Sequence, residues 1–242
     1  LRAVPFLVIA VVLRISEASF QHVRAIGGET IRDAGLAERI LATGPIYWFY
    51  LSRAVLPVDL AFIYPLWKFD VTSVVDWLPL MGLCVVLMLL LRFQHRISRG
   101  PVIAVLYYLL CLGPVAGLVD IYFMKYSLVA DHYQYIALPG LVALLVGGGT
   151  LLVRRRGIGR LGGQIIGAGL VTVLAGLTWQ QVGIYQSPQR LWRDTLARNP
   201  GCWLAHNQLA NLVSSSQKVD DARDHYLAAL ELIERQLSLI HI

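Results

Sequence analysis

The residues best suited to chemistry lie in one short polar stretch, Lys125 to Tyr135. It contains a lysine, an aspartate, a histidine and three tyrosines, whereas residues 102–119 before it and 136–153 after it carry no charge. Lys125 can hold a phosphate as a point charge. His132, which titrates near neutral pH, can donate a hydrogen bond to an anion. Side chains of these types between two apolar segments indicate an anion-binding site at a membrane surface.

A purely structural role for the same stretch stays open. Asp131 suits the N-cap of the helix that should follow, and Gln134 occupies the position of the second residue of a capping box. The rings of Tyr126, Tyr133 and Tyr135 suit the aromatic belt at a membrane–water interface. The stretch is therefore either the water-facing corner of a helical hairpin or a binding site, in which Asp131 and Tyr133 join Lys125 and His132.

Composition places the chain among membrane proteins. Of its 242 residues, 57% are hydrophobic and 15% are charged, which is too apolar for an ordinary soluble domain. The net charge of +6 comes with arginine clusters beside apolar segments, as expected for cytoplasmic loops, and nucleic-acid binding is not expected. The spacing of the three cysteines predicts neither a metal site nor a disulfide framework.

Apolar runs predict five membrane-spanning helices and the tail of a sixth at residues 1–13. The segment at 77–91 is short and must recruit Val74 and Val75, and Gly113-Pro114 predicts a kink in the next segment. Arg53, near the end of the first span, either reaches the interface or faces the bundle and pairs with an anionic ligand. The predicted spans are 40–56, 77–91, 102–119, 136–153 and 161–179.

Arginine distribution predicts the sidedness of the loops. Loops 92–99 and 154–160 contain seven arginines, whereas loops 58–76 and 120–132 contain two lysines and five aspartates. The arginine loops should therefore face the cytoplasm, and the other two loops and all residues after Trp179 should face the opposite side. Strict alternation then places residues 14–39 in the cytoplasm, opposite to loop 120–132, whereas a re-entrant segment near residues 14–39 would reverse this count.

Beyond Trp179 the chain becomes more polar and predicts a helix pair. Its small and aromatic residues are spaced as in a tetratricopeptide repeat, although Gln217 replaces the usual turn glycine. About three such repeats are needed for stability, so we expect a longer protein whose repeats bind a protein or peptide partner. The residues predicted to pack the helix pair are Trp203, Leu209, Ala210, Ala222, Tyr226 and Ala229.

The predicted fold is all-α, a polytopic transmembrane helix bundle followed by a tetratricopeptide-repeat hairpin. Residues 1–185 form the membrane region and 186–236 form the repeat region. Residues 237–242 resemble translated sequencing adapter and are left out of the fold prediction. The short first apolar run, which begins at Leu1, lacks a basic region and a cleavage site, so we expect an N-terminal part to precede it.

Residues 125–135 resemble the signature RYS-F-VADH-QY of large bacterial membrane proteins with C-terminal tetratricopeptide repeats, with Lys125 in place of arginine. Residues 48–51 and 62–67, which include Tyr64, match a second motif of these proteins, although Leu66 stands where they commonly have a basic residue. These proteins are similar to the transmembrane-and-tetratricopeptide O-mannosyltransferases and resemble C-type glycosyltransferases. The resemblance implies an integral protein of the bacterial inner membrane with extracytoplasmic repeats.

The resemblance also implies the transfer of a sugar from a polyprenyl-phosphate donor to a protein acceptor. The acidic catalytic motif of those transferases would precede Leu1, so no catalytic residue is assigned. The cofactor is unknown, and a divalent metal is an open question for a longer protein. The residues that could hold the donor phosphate or substrate are Lys125, Asp131, His132, Tyr133, Arg53 and Tyr64.

Two other functions compete with sugar transfer. A membrane-anchored tetratricopeptide scaffold would recruit envelope proteins without catalysis, and an acidic pair in the expected N-terminal part would argue against it. A transporter is disfavoured because no ionisable residue lies in the middle of a predicted span.

Overall fold

The computed structural model describes Val12 and residues 31–214 and 219–240, with the backbone alone at 97 and 236–240. Within these residues the fold is all-helical, without a β-strand, and it contains eight α-helices. Three short 3₁₀ turns, Gly113–Val115, Tyr122–Lys125 and Asp131–Gln134, interrupt the chain between the third and fourth helices. The helices are α1 (Leu36–Val55), α2 (Val74–Ile97), α3 (Gly100–Leu112), α4 (Leu138–Arg155), α5 (Arg160–Ile184), α6 (Pro188–Arg198), α7 (Trp203–Ser214) and α8 (Val219–Ile240).

Helices α2, α4 and α5 are each long and apolar enough to cross a membrane. Almost none of their residues is buried inside the protein, so their apolar side chains point outward, as they would towards lipid. The predicted spans at 77–91, 136–153 and 161–179 are thus confirmed as long apolar helices. Helix α2 begins at Val74, so it does recruit the two valines that precede Trp77.

Helix α1, predicted as a span at 40–56, has a different environment and is not among these three helices. Its Leu41, Ile46 and Tyr50 are fully buried. The backbone of Gly44 lies directly against Leu80 of α2, since a Cβ added at Gly44 would lie 2.6 Å from the Leu80 Cα. One face of α1 is therefore covered by protein, and α2 and the turn Asp131–Gln134 pack against the helix.

The predicted span at 102–119 is wrong as one continuous helix. Helix α3 ends at Leu112, and the following Gly113-Pro114 begins a 3₁₀ turn, because proline cannot continue the backbone ladder. Gly117 has a φ of +91° beside Ile46, which suits glycine. Residues 113–137, which connect α3 to α4, then pack beside α1 without forming an α-helix.

Asp120 is held by two arginines, Arg32 from the segment before α1 and Arg39 from the first turn of α1. Arg32 Nε and Arg39 Nη2 donate to its two carboxylate oxygens at 2.7 and 2.6 Å. Because bonded groups lie at the same depth, residues 32–39 lie on the same side of the molecule as Asp120. The alternation that placed 14–39 opposite to loop 120–132 is therefore wrong for these residues, and residues 14–30 lie outside the described part.

Helices α6 to α8 form a compact group after the long helix α5. Ser187 caps α6 by accepting a hydrogen bond from the Arg190 backbone N–H. Helices α7 and α8 pack against each other, and the Tyr226 hydroxyl donates to Asn211 Oδ1 at 2.6 Å. The backbone of α8 continues to Ile240, into the segment left out of the prediction. The small or apolar residues buried in this group are Ala205, Leu209, Ala210, Ala222 and Ala229.

The helix pair itself is present, whereas its assignment as a tetratricopeptide repeat stays a prediction. Of the residues predicted to pack it, Leu209, Ala210, Ala222 and Ala229 are buried. Trp203 is half-buried, and Tyr226 is exposed at the surface.

Candidate functional site

The candidate site centres on the carboxylate of Asp131 at the start of the last 3₁₀ turn. The hydroxyl of Tyr64 lies 2.9 Å from Asp131 Oδ1 and 3.2 Å from Oδ2, and it donates to this carboxylate. The hydroxyl oxygen of Tyr64 also accepts a hydrogen bond from the Ala61 backbone N–H at 3.0 Å. Tyr64 is buried, so its phenol is fixed between the 58–73 loop and Asp131.

A buried strip, Ser127 to Ala130, sets the position of Asp131. The Ser127 hydroxyl donates to the Val129 carbonyl at 2.8 Å, which closes a local turn. The Ala130 backbone N–H donates to the hydroxyl of Tyr50 on α1 at 3.1 Å. This bond anchors the strip to the central helix, so the backbone that carries Asp131 is fixed.

The predicted capping role of Asp131 is wrong. Neither the turn that begins at Asp131 nor α4 has a side-chain cap, and the N-cap residue of α4 is Ala137. Gln134, predicted to complete a capping box, is buried instead, and its Oε1 has no partner within the described residues. Asp131 therefore bonds across the fold to a residue 67 positions away.

Burial governs the protonation of this pair. Burial raises the pKa of Asp131, although the Tyr64 hydrogen bond and the positive charges of Arg53 and His132 counteract the rise. Burial and the neighbouring Asp131 charge also raise the pKa of Tyr64, so its phenol stays protonated and acts as a donor. The site thus contains a carboxylate with enhanced affinity for a proton.

Arg53 lies beside this pair in the last turn of α1. Its Nη1 donates to the Val58 carbonyl, and its guanidinium carbon lies 5.4 Å from the centre of the Phe49 ring. The ring of Phe49 also packs edge-on against Tyr64, with centroids 4.8 Å apart. Arg53 Nε is buried and has no partner within the described residues. Of the two sequence alternatives, the structure favours an arginine that faces the protein.

The remaining predicted site residues lie on two neighbouring turns. His132 is exposed, and its ring lies 4.4 Å from that of Tyr133 and 6.3 Å from that of Phe123. Burial raises the pKa of Tyr133 to about 12. Lys125 ends the separate turn Tyr122–Lys125 and is half-buried. The structure thus joins Arg53, Tyr64 and Asp131 in one cluster, next to His132 and Tyr133.

Sequence reasoning did not identify the roles of Tyr50 and Phe49. Both lie in the aromatic run 47–50, whose density was the available signal, but nothing in their spacing specifies a partner 80 residues away at Ala130. Chemically, the cluster offers a guanidinium N–H, a phenol, a carboxylate and an exposed imidazole. These groups suit the binding of an oxyanion and the acceptance of a proton. The described residues include no group of three or more His, Cys, Asp or Glu side chains suited to a metal ion.

The helices α6 and α7 dock onto the same loop that carries Tyr64. Ile63, the residue before Tyr64, is buried against Cys202 and Ala205, and its carbonyl accepts from Asn199 Nδ2 at 3.4 Å. The rings of Tyr126 and Trp203 lie 5.5 Å apart at the edge of this contact. A cavity of about 220 Å³ opens there, lined by Pro65, Leu66, Tyr126, Asn199, Gly201, Cys202 and Trp203.

Comparison with protein-family models found no match, and comparisons with curated proteins and with solved structures found no similar protein. The geometry around Asp131 is therefore the basis for a function. The short motifs described above show a resemblance, but they do not establish a family for the chain.

Proposed function

We propose that this chain is part of a membrane glycosyltransferase-like protein. It would transfer a sugar, mannose in the family it resembles, from a polyprenyl-phosphate donor to an extracytoplasmic protein acceptor. The observation that carries the proposal is the half-buried guanidinium of Arg53 beside the Tyr64–Asp131 pair, with an Nε that has no partner among the residues the structure describes.

The state of Arg53 favours an anionic ligand. A buried N–H without an acceptor costs free energy, and a phosphate oxygen would remove that cost. Arginine is suited to phosphate because its planar guanidinium presents several donors in a fixed geometry. The aromatic rings around Arg53 suit a ligand whose phosphate adjoins a lipid chain. A lipid-linked sugar has this combination of charge and apolar tail.

The neighbouring residues have supporting roles in this proposal. Asp131 orients Tyr64 and contributes a negative charge near Arg53, which keeps the guanidinium in place. His132 is exposed and can donate to the phosphate or sugar, while Tyr133 provides a ring beside it. Lys125 adds positive charge on the neighbouring turn. None of these residues is assigned as the catalytic base, which the resemblance places before Leu1.

The docking of α6 and α7 would bring an acceptor close to the donor. Ile63 contacts these helices, and Tyr64 contacts Asp131, so two adjacent residues connect the regions. A peptide bound along the predicted repeats would therefore end near the donor cluster. The same contact also supports the second candidate function, a membrane-anchored scaffold that binds a partner without catalysis.

Donor binding to the purified full-length protein in lipid nanodiscs tests the proposal, with a short-chain polyprenyl-phosphate mannose as the probe. We expect Arg53→Gln to weaken binding at least tenfold. Lys125→Ala and His132→Ala should have smaller effects. The matched control is Arg92→Gln, which removes an exposed arginine near the C-terminal end of α2. Unchanged binding in Arg53→Gln would overturn the site, and no binding by the unmodified protein would favour the scaffold.

A further inference from the structure

A pair of histidines joins the two helices of the α7–α8 pair, well apart in sequence from the cluster at Asp131. His206 lies on α7 and His225 on α8, and their Nδ1 atoms are 3.1 Å apart. The ring centroids are 5.3 Å apart, with 48° between the ring planes. Both side chains are half-buried, so solvent reaches the pair from one side.

The distance between the two nitrogens suits a shared metal ion. Zinc lies about 2.0–2.1 Å from a histidine nitrogen, which places two ligating nitrogens about 3.3 Å apart at a tetrahedral angle. A square arrangement with the same bond length brings them to about 2.9 Å. The observed separation of 3.1 Å falls between these values. A metal ion could therefore replace the shared proton with little movement of the helices.

The surroundings of His206 favour ligation. Its ring makes a hydrogen bond with the backbone of Pro200, and because proline has no N–H, the imidazole donates to the carbonyl. Metal-ligating histidines usually have such a bond, which fixes the orientation of the ring. Burial lowers the pKa of His206, as does the nearby His225, and both disfavour the charged form of its ring.

We propose that His206 and His225 form a two-histidine site for a divalent transition metal such as Cu²⁺, Ni²⁺ or Zn²⁺. Paired imidazoles favour these ions over Mg²⁺ and Ca²⁺, which prefer oxygen ligands. The described residues supply no third His, Cys, Asp or Glu to the pair, so water would complete the coordination. Because its ligands come from α7 and α8, the bound ion would stabilise their packing by mass action.

This site is independent of the proposed sugar transfer. It has no residue in common with the Asp131 cluster, and either proposal can fail while the other stands. If the site is present, the metal concentration around the protein would affect the stability of the partner-binding region.

The test uses the full chain, treated with a chelator, in detergent micelles and titrated with Cu²⁺. We expect one tight equivalent whose electron paramagnetic resonance spectrum shows two coordinated imidazole nitrogens. His206→Gln and His225→Gln should each abolish that equivalent. His95→Ala and His132→Ala, which remove exposed histidines elsewhere, should retain it.

A second measurement follows the thermal unfolding of the same protein with and without Zn²⁺. The unfolding midpoint should rise with Zn²⁺ in the unmodified chain and in the two control variants, but not in the His206 and His225 variants. A spectrum of the unmodified protein with one nitrogen or none would overturn the proposal, whether or not the variants fold. Retention of the tight equivalent in His206→Gln would also overturn it.

Discussion

Two aspartates in one non-helical segment, Asp120 and Asp131, are stabilised in opposite ways. Asp120 has two arginine partners, and its side chain is 15% exposed. Asp131 has a phenol partner, whereas the nearby Arg53 bonds to a backbone carbonyl, and its Nε lacks a partner in the described part of the chain. The first arrangement pairs all the charges that it brings together. The second leaves donor capacity unused, as a site that accepts a ligand would.

This difference separates a structural ion pair from a candidate site within eleven residues of sequence. Both aspartates lie beside α1, since Asp120 bonds to Arg39 in its first turn and Asp131 lies near Arg53 in its last turn. Charge alone therefore does not mark a site. Incomplete pairing of a buried donor is the more informative sign.

The largest expected loss of stability follows from replacement of Asp120, the aspartate with two arginine partners. Asp120→Ala would leave two largely buried arginines without their carboxylate, and removal of one partner of a buried pair costs on the order of 3 kcal/mol. The measurement is the free energy of unfolding in detergent. Asp33→Ala, which removes an exposed carboxylate from the segment before α1, is the control and should change little. Equal losses in both variants would contradict the structural role of Asp120.

A smaller loss is expected from Tyr64→Phe. The substitution removes the hydrogen bond to Asp131 and also leaves the Ala61 N–H without an acceptor. Loss of a partner for a buried polar group costs about 1–3 kcal/mol. Tyr135→Phe removes a hydroxyl from a residue that is 65% exposed and serves as the control. Equal stability of the Tyr64 and Tyr135 variants would show that the phenol does not stabilise Asp131.

The two arginines should differ in the property that they affect. Arg39→Gln should lower the stability by about 1–3 kcal/mol, since it breaks a charged hydrogen bond to Asp120. Arg53→Gln should lower the stability less, because Arg53 loses a bond to a neutral carbonyl, that of Val58, and its Nε has no partner within the described residues. It should, however, reduce donor binding. Thermal unfolding and donor binding measured on both variants provide the check. A larger stability loss for Arg53→Gln than for Arg39→Gln would reverse the comparison.

How far the sequence predicts this structure depends on whether an interaction is local. Long apolar runs predicted α2, α4 and α5 because membrane length and side-chain polarity act residue by residue. At Gly113-Pro114 the sequence predicted a kink, whereas α3 ends at Leu112. A Gly-Pro pair is compatible with a kinked helix and with a helix end, and tertiary packing decides between them. Periodicity also predicted the helix pair that contains α7 and α8.

The candidate site was only partly predictable for the same reason. Lys125, Asp131 and His132 were identified by their residue types, but the partners of Asp131 come from elements that only the fold brings together. The bond from Tyr64 crosses 67 positions and that from Tyr50 to Ala130 crosses 80. The arginine pair at Asp120 escaped sequence analysis entirely, because strict alternation placed its members on opposite sides of the membrane.

The smallest expected effect is the pH dependence caused by Asp131. Burial raises its pKa above the ordinary value of about 3.9, so in the interval between these values the folded protein holds a proton that the unfolded chain has released. Stability should therefore fall as the pH rises through this interval and level off above the raised pKa. Asparagine does not titrate, and its carbonyl can still accept from Tyr64. The stability of Asp131→Asn should thus increase relative to that of the unmodified protein as the pH rises from 4 to 7. Unfolding is measured on both proteins at each pH, and the difference between them removes the pH dependence that the other carboxylates cause in both. A difference that stays constant, or that shifts in favour of the unmodified protein, would show that burial does not dominate the environment of this carboxylate.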